Sequence, residues 1–258
     1  MITNQHAAAL QDFIDESKDV RVEDKMAEFN DIFKVVKRYK TLDAKTKILE
    51  VGTGTGWLVI QCERLGMKCK GIEVSADLVD CARRLGQNYG VHPDIEIAKI
   101  EEANLGTNEY DVIIASSTFE HVANWREGLR KVFHALKPGG VFFFYSTNKF
   151  SFKSGEYDFP FYGWLPDRWR YRLRSARQGN IIMQWGIDFN QFTYFQLRRF
   201  FGQLGYATVL DRIDILDADH LNHPTWQRKL ILGALKRLQL LKHGFLFFSN
   251  GTLFVCIK

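Results

Sequence analysis

Nine residues, 48–56, read I-L-E-V-G-T-G-T-G and restrict the fold more than any other stretch of the chain. Ile48, Leu49 and Val51 form a short apolar run suited to a buried strand. Gly52, Gly54 and Gly56 follow as a tight loop, and residues 57–65 read as a helix closed by Gly66. A strand, a glycine-rich turn and a helix N-terminus together make a nucleotide-type site. Glycine lets backbone approach a ligand closely, and the helix start offers free N–H groups. A dinucleotide fingerprint, G-x-G-x-x-G, would need glycine at 57. Trp57 stands there and the third glycine comes one residue early, so the loop need not be one that grips a pyrophosphate.

Past this loop, residues 68–74 read as a second strand that ends G-I-E-V-S. Glu73 lies about twenty residues beyond the glycines, where nucleotide folds place an acid to accept ribose hydroxyls. A carboxylate suits that task because it offers only acceptors. Ser75 caps a helix over 76–89, with Asp77 favourable in its first turn. Residues 95–98 are a third strand, followed by A-K-I-E-E. The fourth, 110–115, reads Y-D-V-I-I-A and runs into S-S-T-F-E-H-V. Ligands of open α/β sheets bind at the carboxyl ends of strands near the switch point, which puts Ser116 and Ser117 beside a ligand. A helix over 125–136 carries Leu129, Val132, Phe133 and Leu136 on one face. Lys137-Pro138-Gly139-Gly140 stops it, and 141–145 read as the fifth strand.

Taken in this order, E-x-G-x-G-x-G, the acid after strand two, the A-K-I-E-E loop, the strand-four tail and L-K-P-G-G resemble class I S-adenosylmethionine (SAM)-dependent methyltransferases. The resemblance covers residues 45–150. The E-H-V tail, 120–122, is similar to the small-molecule branch that includes ubiquinone-type O-methyltransferases. The adenine-N6 signature, N-P-P-Y or D-P-P-Y, is absent, so nucleic acid is not the expected acceptor. The resemblance implies a seven-stranded Rossmann-like α/β sheet with helices on both faces. It implies SAM as cofactor and S-adenosylhomocysteine as product. It places Glu50, Gly52, Thr53, Gly54 and Gly56 around the cofactor, with Glu73 and Val74 at the ribose end and Ser116 at the methionine end. Ile100 would lie against the adenine, and Glu101 or nearby backbone would meet its exocyclic amine.

A hydroxyl or amine acceptor gains from a general base. His121 is the first candidate, because it follows strand four and histidine titrates near neutrality. His220 is the second, and Glu120 could orient either one. The loop D-A-D-H-L-N-H-P also brings His220 and His223 near Asp217 and Asp219, but no third ligand is fixed by spacing, and no metal is expected.

The chain reads as one domain over 1–258: N-terminal helices in 1–44, a SAM-binding core in 45–150, a substrate-cap insertion in 146–190 and the rest of the sheet in 191–258. Helices are expected over 5–18 and 22–40, the second with Met26, Phe29, Phe33 and Val36 on one face. The insertion is rich in aromatic residues and arginine, and Tyr162 and Trp164, with Ser117, are its candidate substrate contacts. Three accounts of it stay open. It could be a lid over the substrate. It could be a membrane-surface element with Trp164, Trp169 and Tyr171 interfacial and Arg168, Arg170, Arg172 and Arg174 facing anionic lipid. It could bind RNA by stacking and charge. Further on, Thr193 and Gln196 make a capping box for a helix over 193–204, and 206–212 form strand six. Residues 226–241 read as one helix with a basic face of Arg228, Lys229, Lys236, Arg237 and Lys242. Residues 245–257 read as returning to the sheet; the resemblance implies a seventh strand that is antiparallel and inserts between strands five and six, and 252–257 suit it.

The totals fit this reading. A chain of 258 residues with 46% hydrophobic and 25% charged residues is an ordinary globular balance. The net charge of +5 permits an anionic partner. Cys62, Cys69, Cys81 and Cys256 show no C-x-x-C or zinc spacing and read as reduced core cysteines. The first residues lack a basic-then-apolar signal, and no apolar run reaches about 18 residues. The expectation is a cytoplasmic enzyme, with peripheral contact at the inner membrane surface left open, that methylates a small-molecule or lipid- or glycan-linked acceptor at oxygen. The rival readings are an NAD-dependent oxidoreductase and a non-catalytic SAM-binding protein.

Overall fold

The computed structural model describes residues 20–153, 160–178, 190–217 and 225–258. Apolar runs at β1 (Lys47–Val51), β2 (Lys68–Glu73), β3 (Asp94–Ile97), β4 (Tyr110–Ser116), β5 (Leu136–Ser146), β6 (Thr208–Asp211) and β7 (Thr252–Ile257) become strands. Among the described residues they form one sheet in the order β3-β2-β1-β4-β5-β7-β6. The first five are parallel, and β7 runs antiparallel to both of its neighbours. The last strand does insert between strands five and six, as the resemblance implied. This is the expected Rossmann-like α/β architecture.

Helices cover both faces because successive strand residues point to opposite sides. Leu49, Ile113, Phe142 and Phe144 face α4 (Trp125–Ala135) and α6 (Tyr194–Leu204). Ile48, Ile114, Val141 and Phe143 face α1 (Met26–Val36) and α2 (Trp57–Arg64). Helix α3 (Ala76–Asn88) starts on the Ser75 hydroxyl, which accepts from the Leu78 N–H at 3.3 Å. The Thr193 hydroxyl does the same for α6, accepting from Gln196 N–H at 3.2 Å. Among the described residues the remaining α-helices are α5 (Asp167–Gln178), α7 (Arg212–Ile215), α8 (Trp226–Arg237) and α9 (Gln239–Phe247). All four cysteines are buried and free.

Several boundaries differ from the sequence reading, each for a tertiary reason. The segment expected as a helix over 22–40 is a 3-10 turn, Val22–Lys25, followed by α1. Strand six is shorter, because the Asp211 carboxylate accepts from Ile213 and Asp214 N–H and turns the chain into α7. The single helix expected over 226–241 is two. Leu238, in extended backbone, separates α8 from α9 and lets both Leu232 and Leu246 reach the core. Residues 245–247, expected to enter the sheet, are the last turn of α9, since a short apolar run does not separate strand from helix. Lys242 is not on a solvated basic face. It is buried, with Nζ 2.8 Å from Asp211 and 2.5 Å from Asp214. Arg170 is likewise buried rather than aimed outward, its guanidinium 5.7 Å from the centre of the Tyr162 ring. The helix expected over 5–18, and Asp219, His220 and His223, lie outside the described residues.

Candidate active site

The strand order reverses between β1 and β4, and the two loops that leave their carboxyl ends interlock there. Gly52, Gly54 and Gly56 all take positive φ, of 74°, 54° and 71°. At Gly52 a side chain is excluded, because an added Cβ would lie 2.3 Å from the Thr118 Oγ1. That hydroxyl donates to the Val51 carbonyl at 2.9 Å and ties the β4 loop to the glycine loop. At Gly54, by contrast, an added Cβ would meet nothing within 4 Å. The middle of the loop therefore borders open space where backbone can approach a ligand.

Glu73 closes the other side. Its Oε2 accepts from Gly54 N–H at 2.8 Å, and its Oε1 accepts from Val74 and Ser75 N–H at 2.8 and 3.0 Å. Three backbone donors fix the carboxylate in place. About four lone-pair sites are available to it, which leaves capacity on Oε2 for a hydroxyl donor. Val74, 60% exposed, adds an apolar surface beside it. Ile100 is buried against Phe119 and Gly128 in the core, and Glu101 is half-buried in the turn that follows β3.

Two buried polar atoms at this edge, Glu50 Oε2 and Thr53 Oγ1, have no hydrogen-bond partner among the described residues. Buried polar groups are normally paired, so both are suited to a polar ligand. Burial pushes the Glu50 carboxyl well above the usual carboxylate range, and Cys62 and Glu73 add to this. Orphaned polar atoms, an open glycine and an anchored acid fit a nucleoside-type cofactor such as SAM.

On the β4 side, Ser116 ends the strand and Ser117 takes φ 51° in the exposed loop. The turn Phe119–His121 follows. Glu120 is fully buried, and its Oε2 accepts from the Ser146 hydroxyl at 2.6 Å. Asn190 clamps the same turn, donating to the carbonyls of Phe119 at 3.1 Å and Val122 at 2.7 Å. His121 is half-buried at the end of that turn. Thr118, Ser146 and Asn190 are thus site-forming residues that sequence reasoning missed. Nothing local marks them, since their partners lie 67, 26 and 68–71 positions away.

Tyr162 and Trp164 sit in a 3-10 turn of the insertion. Tyr162 is buried, whereas Trp164 is partly exposed and donates from Nε1 to the Ser151 carbonyl at 3.0 Å. No group of three or more metal-ligating side chains occurs among the described residues.

The fold and this edge define a class, the Rossmann-like methyltransferases. A family model described as "Methyltransferase domain" matches residues 24–210, and the chain belongs to that family of SAM-dependent enzymes. It is similar to the ubiquinone biosynthesis O-methyltransferase of Xanthomonas oryzae pv. oryzae, 31% identical over 107 residues. That match covers 41% of this chain and 45% of the relative, so the chain spans less than half the length of the relative it matches. Phosphoethanolamine N-methyltransferase 2 of Haemonchus contortus, solved with SAM, shares the fold with a TM-score of 0.56 at 14% identity. The match takes in 89% of this chain and 52% of that one. A SAM-dependent methyltransferase of Archaeoglobus fulgidus aligns with a TM-score of 0.54 at 14% identity, over 91% of this chain and 94% of that one.

Proposed function

We propose that this chain transfers the methyl group of SAM to an oxygen of a small-molecule or lipid- or glycan-linked acceptor, as a cytoplasmic enzyme working at the inner membrane surface. The observation that carries the reading is the joint between Gly54 N–H and the Glu73 carboxylate, which sets an acid and an open backbone at one strand edge. The choice of oxygen follows the name of the curated relative and the E-H-V tail. Bound there, SAM supplies an electrophilic methyl on a sulfonium.

The protein then has to hold an acceptor oxygen in line with that methyl and keep water out. Glu73 would accept the ribose hydroxyls, Val74, Ile100 and Glu101 would border the adenine, and Glu50, Thr53 and Ser116 would meet the amino-acid end. Ser117, Tyr162 and Trp164 border the acceptor. His121 takes the proton of the acceptor hydroxyl as the oxygen lone pair forms the new C–O bond. SAM held there would supply the methyl and leave as S-adenosylhomocysteine, its sulfur keeping the electron pair of the S–C bond. Glu120, held by Ser146, positions the turn that carries His121. His220 is the second candidate for the base.

Calorimetric titration with SAM and with S-adenosylhomocysteine tests the site. Micromolar binding of both, strongly weakened in Glu73→Ala and abolished in Gly54→Arg with the fold intact, is expected. A folded protein that binds neither, or a Gly54→Arg variant with unchanged affinity, overturns it. With an acceptor in hand, His121→Ala is expected to lower kcat by about 10²-fold or more and to remove the limb of the pH profile near neutrality.

A further inference from the structure

The chain between β6 and β7 does more than return to the sheet. Its inner side is anchored by Leu232, Lys242 and Leu246, all buried. Its outer side carries Trp226, Leu230 and Ile231 on α8 and Leu240, Leu241 and Phe245 on α9, all exposed. Leu240 is 86% exposed and Trp226 68%. Leu241, Phe245 and Phe248 recur at helical spacing, so they share one stripe of α9. The stripe runs on into the insertion after β5, where Phe248 stacks on Phe152 at 5.6 Å and on Trp164 at 6.1 Å. Phe152, Phe161 and Trp164 are themselves exposed. Isolated apolar residues are ordinary on a protein surface, but a continuous face of this kind marks a binding surface.

Charge indicates what covers it. Residues 225–248 contain no aspartate or glutamate, yet hold Arg228, Lys229, Lys236 and Arg237. Among the described residues, Asp217, itself half exposed, lies 3.4 Å from Lys236. An apolar stripe bordered by cations matches a bilayer whose headgroups are anionic. No helix among the described residues is long and apolar enough to cross a membrane, so the face would lie on the surface rather than span it.

The stripe is also joined to the candidate active site. Asn148, two residues past the end of β5, donates to the carbonyls of Leu246, Phe247 and Ser249 and fixes the end of α9. Ser146, at the end of the same strand, holds Glu120. The apolar face and the His121 turn therefore share the carboxyl edge of β5.

We propose that the outer face of α8 and α9, with the aromatic residues around Trp164, docks on an anionic phospholipid bilayer and brings the active-site edge to its surface. This deepens the reading of a lipid-linked acceptor, but binding to lipid is measured without turnover, and cofactor binding without lipid, so either can fail alone. The test is flotation of the full chain with phosphatidylcholine vesicles, with and without phosphatidylglycerol, at low and high salt. Binding to the anionic vesicles, at least tenfold weaker on zwitterionic ones and reduced by salt, is expected. Leu240→Glu/Phe245→Glu and Lys229→Glu/Lys236→Glu should each weaken binding at least tenfold while SAM affinity and thermal stability stay unchanged. Emission of Trp226 should shift to the blue on binding and be lost from the shift in Trp226→Phe. Absence of binding, equal binding to both vesicles, undiminished binding by Leu240→Glu/Phe245→Glu, or a dimer in solution that this double substitution dissociates without any vesicle binding would each overturn the proposal.

Discussion

Asp111, at the start of β4, lies at the opposite end of the strand from Ser116 and the glycine loop. Burial alone would raise its pKa, but donation from Lys137 Nζ, from the Lys47 N–H and from Lys40 Nζ outweighs it and holds the carboxyl at about 2. The donor distances are 2.7, 3.1 and 3.1 Å. The folded value lies below the unfolded one of about 3.9. Its contribution is therefore complete above about pH 4 and is lost as pH falls through about 2. Asp111→Asn is expected to lower the unfolding free energy by about 2 kcal/mol at neutral pH. Urea midpoints measured from pH 2 to pH 5 check this, and parallel pH dependence in variant and wild type would refute it. Lys137 lies near the start of β5, in a stretch that reads in sequence only as a helix stop. The same contrast recurs at the site. Glu73 was legible from its distance to the glycines, whereas Thr118 and Asn190 were not, because their hydrogen bonds reach partners more than sixty positions away.

Among elements, α9 depends on one ionic cluster. Lys242 meets Asp211 and Asp214, and Asp211 also accepts from Tyr194 Oη at 2.9 Å and from Arg198 at 3.1 Å. Burial first, and the Asp211 charge second, push the Tyr194 hydroxyl well above its ordinary pKa. The cluster joins α6, β6, α7 and α9. Removing one partner of a buried pair leaves the other charge stranded, so Lys242→Ala is expected to destabilise by about 3 kcal/mol. It should also speed amide hydrogen exchange in α8 and α9 well ahead of β1–β5. Uniform exchange across the chain would show that the cluster does not hold these helices. Helical periodicity placed residues near 242 on a helix correctly, but it assigned Lys242 to the solvent because a lysine's ion-pair partners are not local.

In the whole molecule, cofactor and fold are linked, because a ligand that binds only the folded state stabilises it. At a hundredfold excess over its Kd, SAM is expected to add about 2.7 kcal/mol and to raise Tm by about 5–10 °C. Thermal melts of the wild type and Glu73→Ala check this, and an equal rise in both would remove Glu73 from the site. Such a link is natural in a sheet whose ligand edge is built from loops, while its strands are held by two opposing cores. The sequence alone determined the succession of β1 to β5 with the helices between them, the glycine loop and the acid after β2. Each of these is written in local periodicity or in a short spacing. Only the tertiary structure decided that Thr118 and Asn190 lock the site, that Arg170 and Lys242 are buried while Leu240 is bare, and that α9 and the insertion form one aromatic face. Those outcomes depend on which distant surfaces pack together, and burial is a property of the packed chain rather than of any stretch of it.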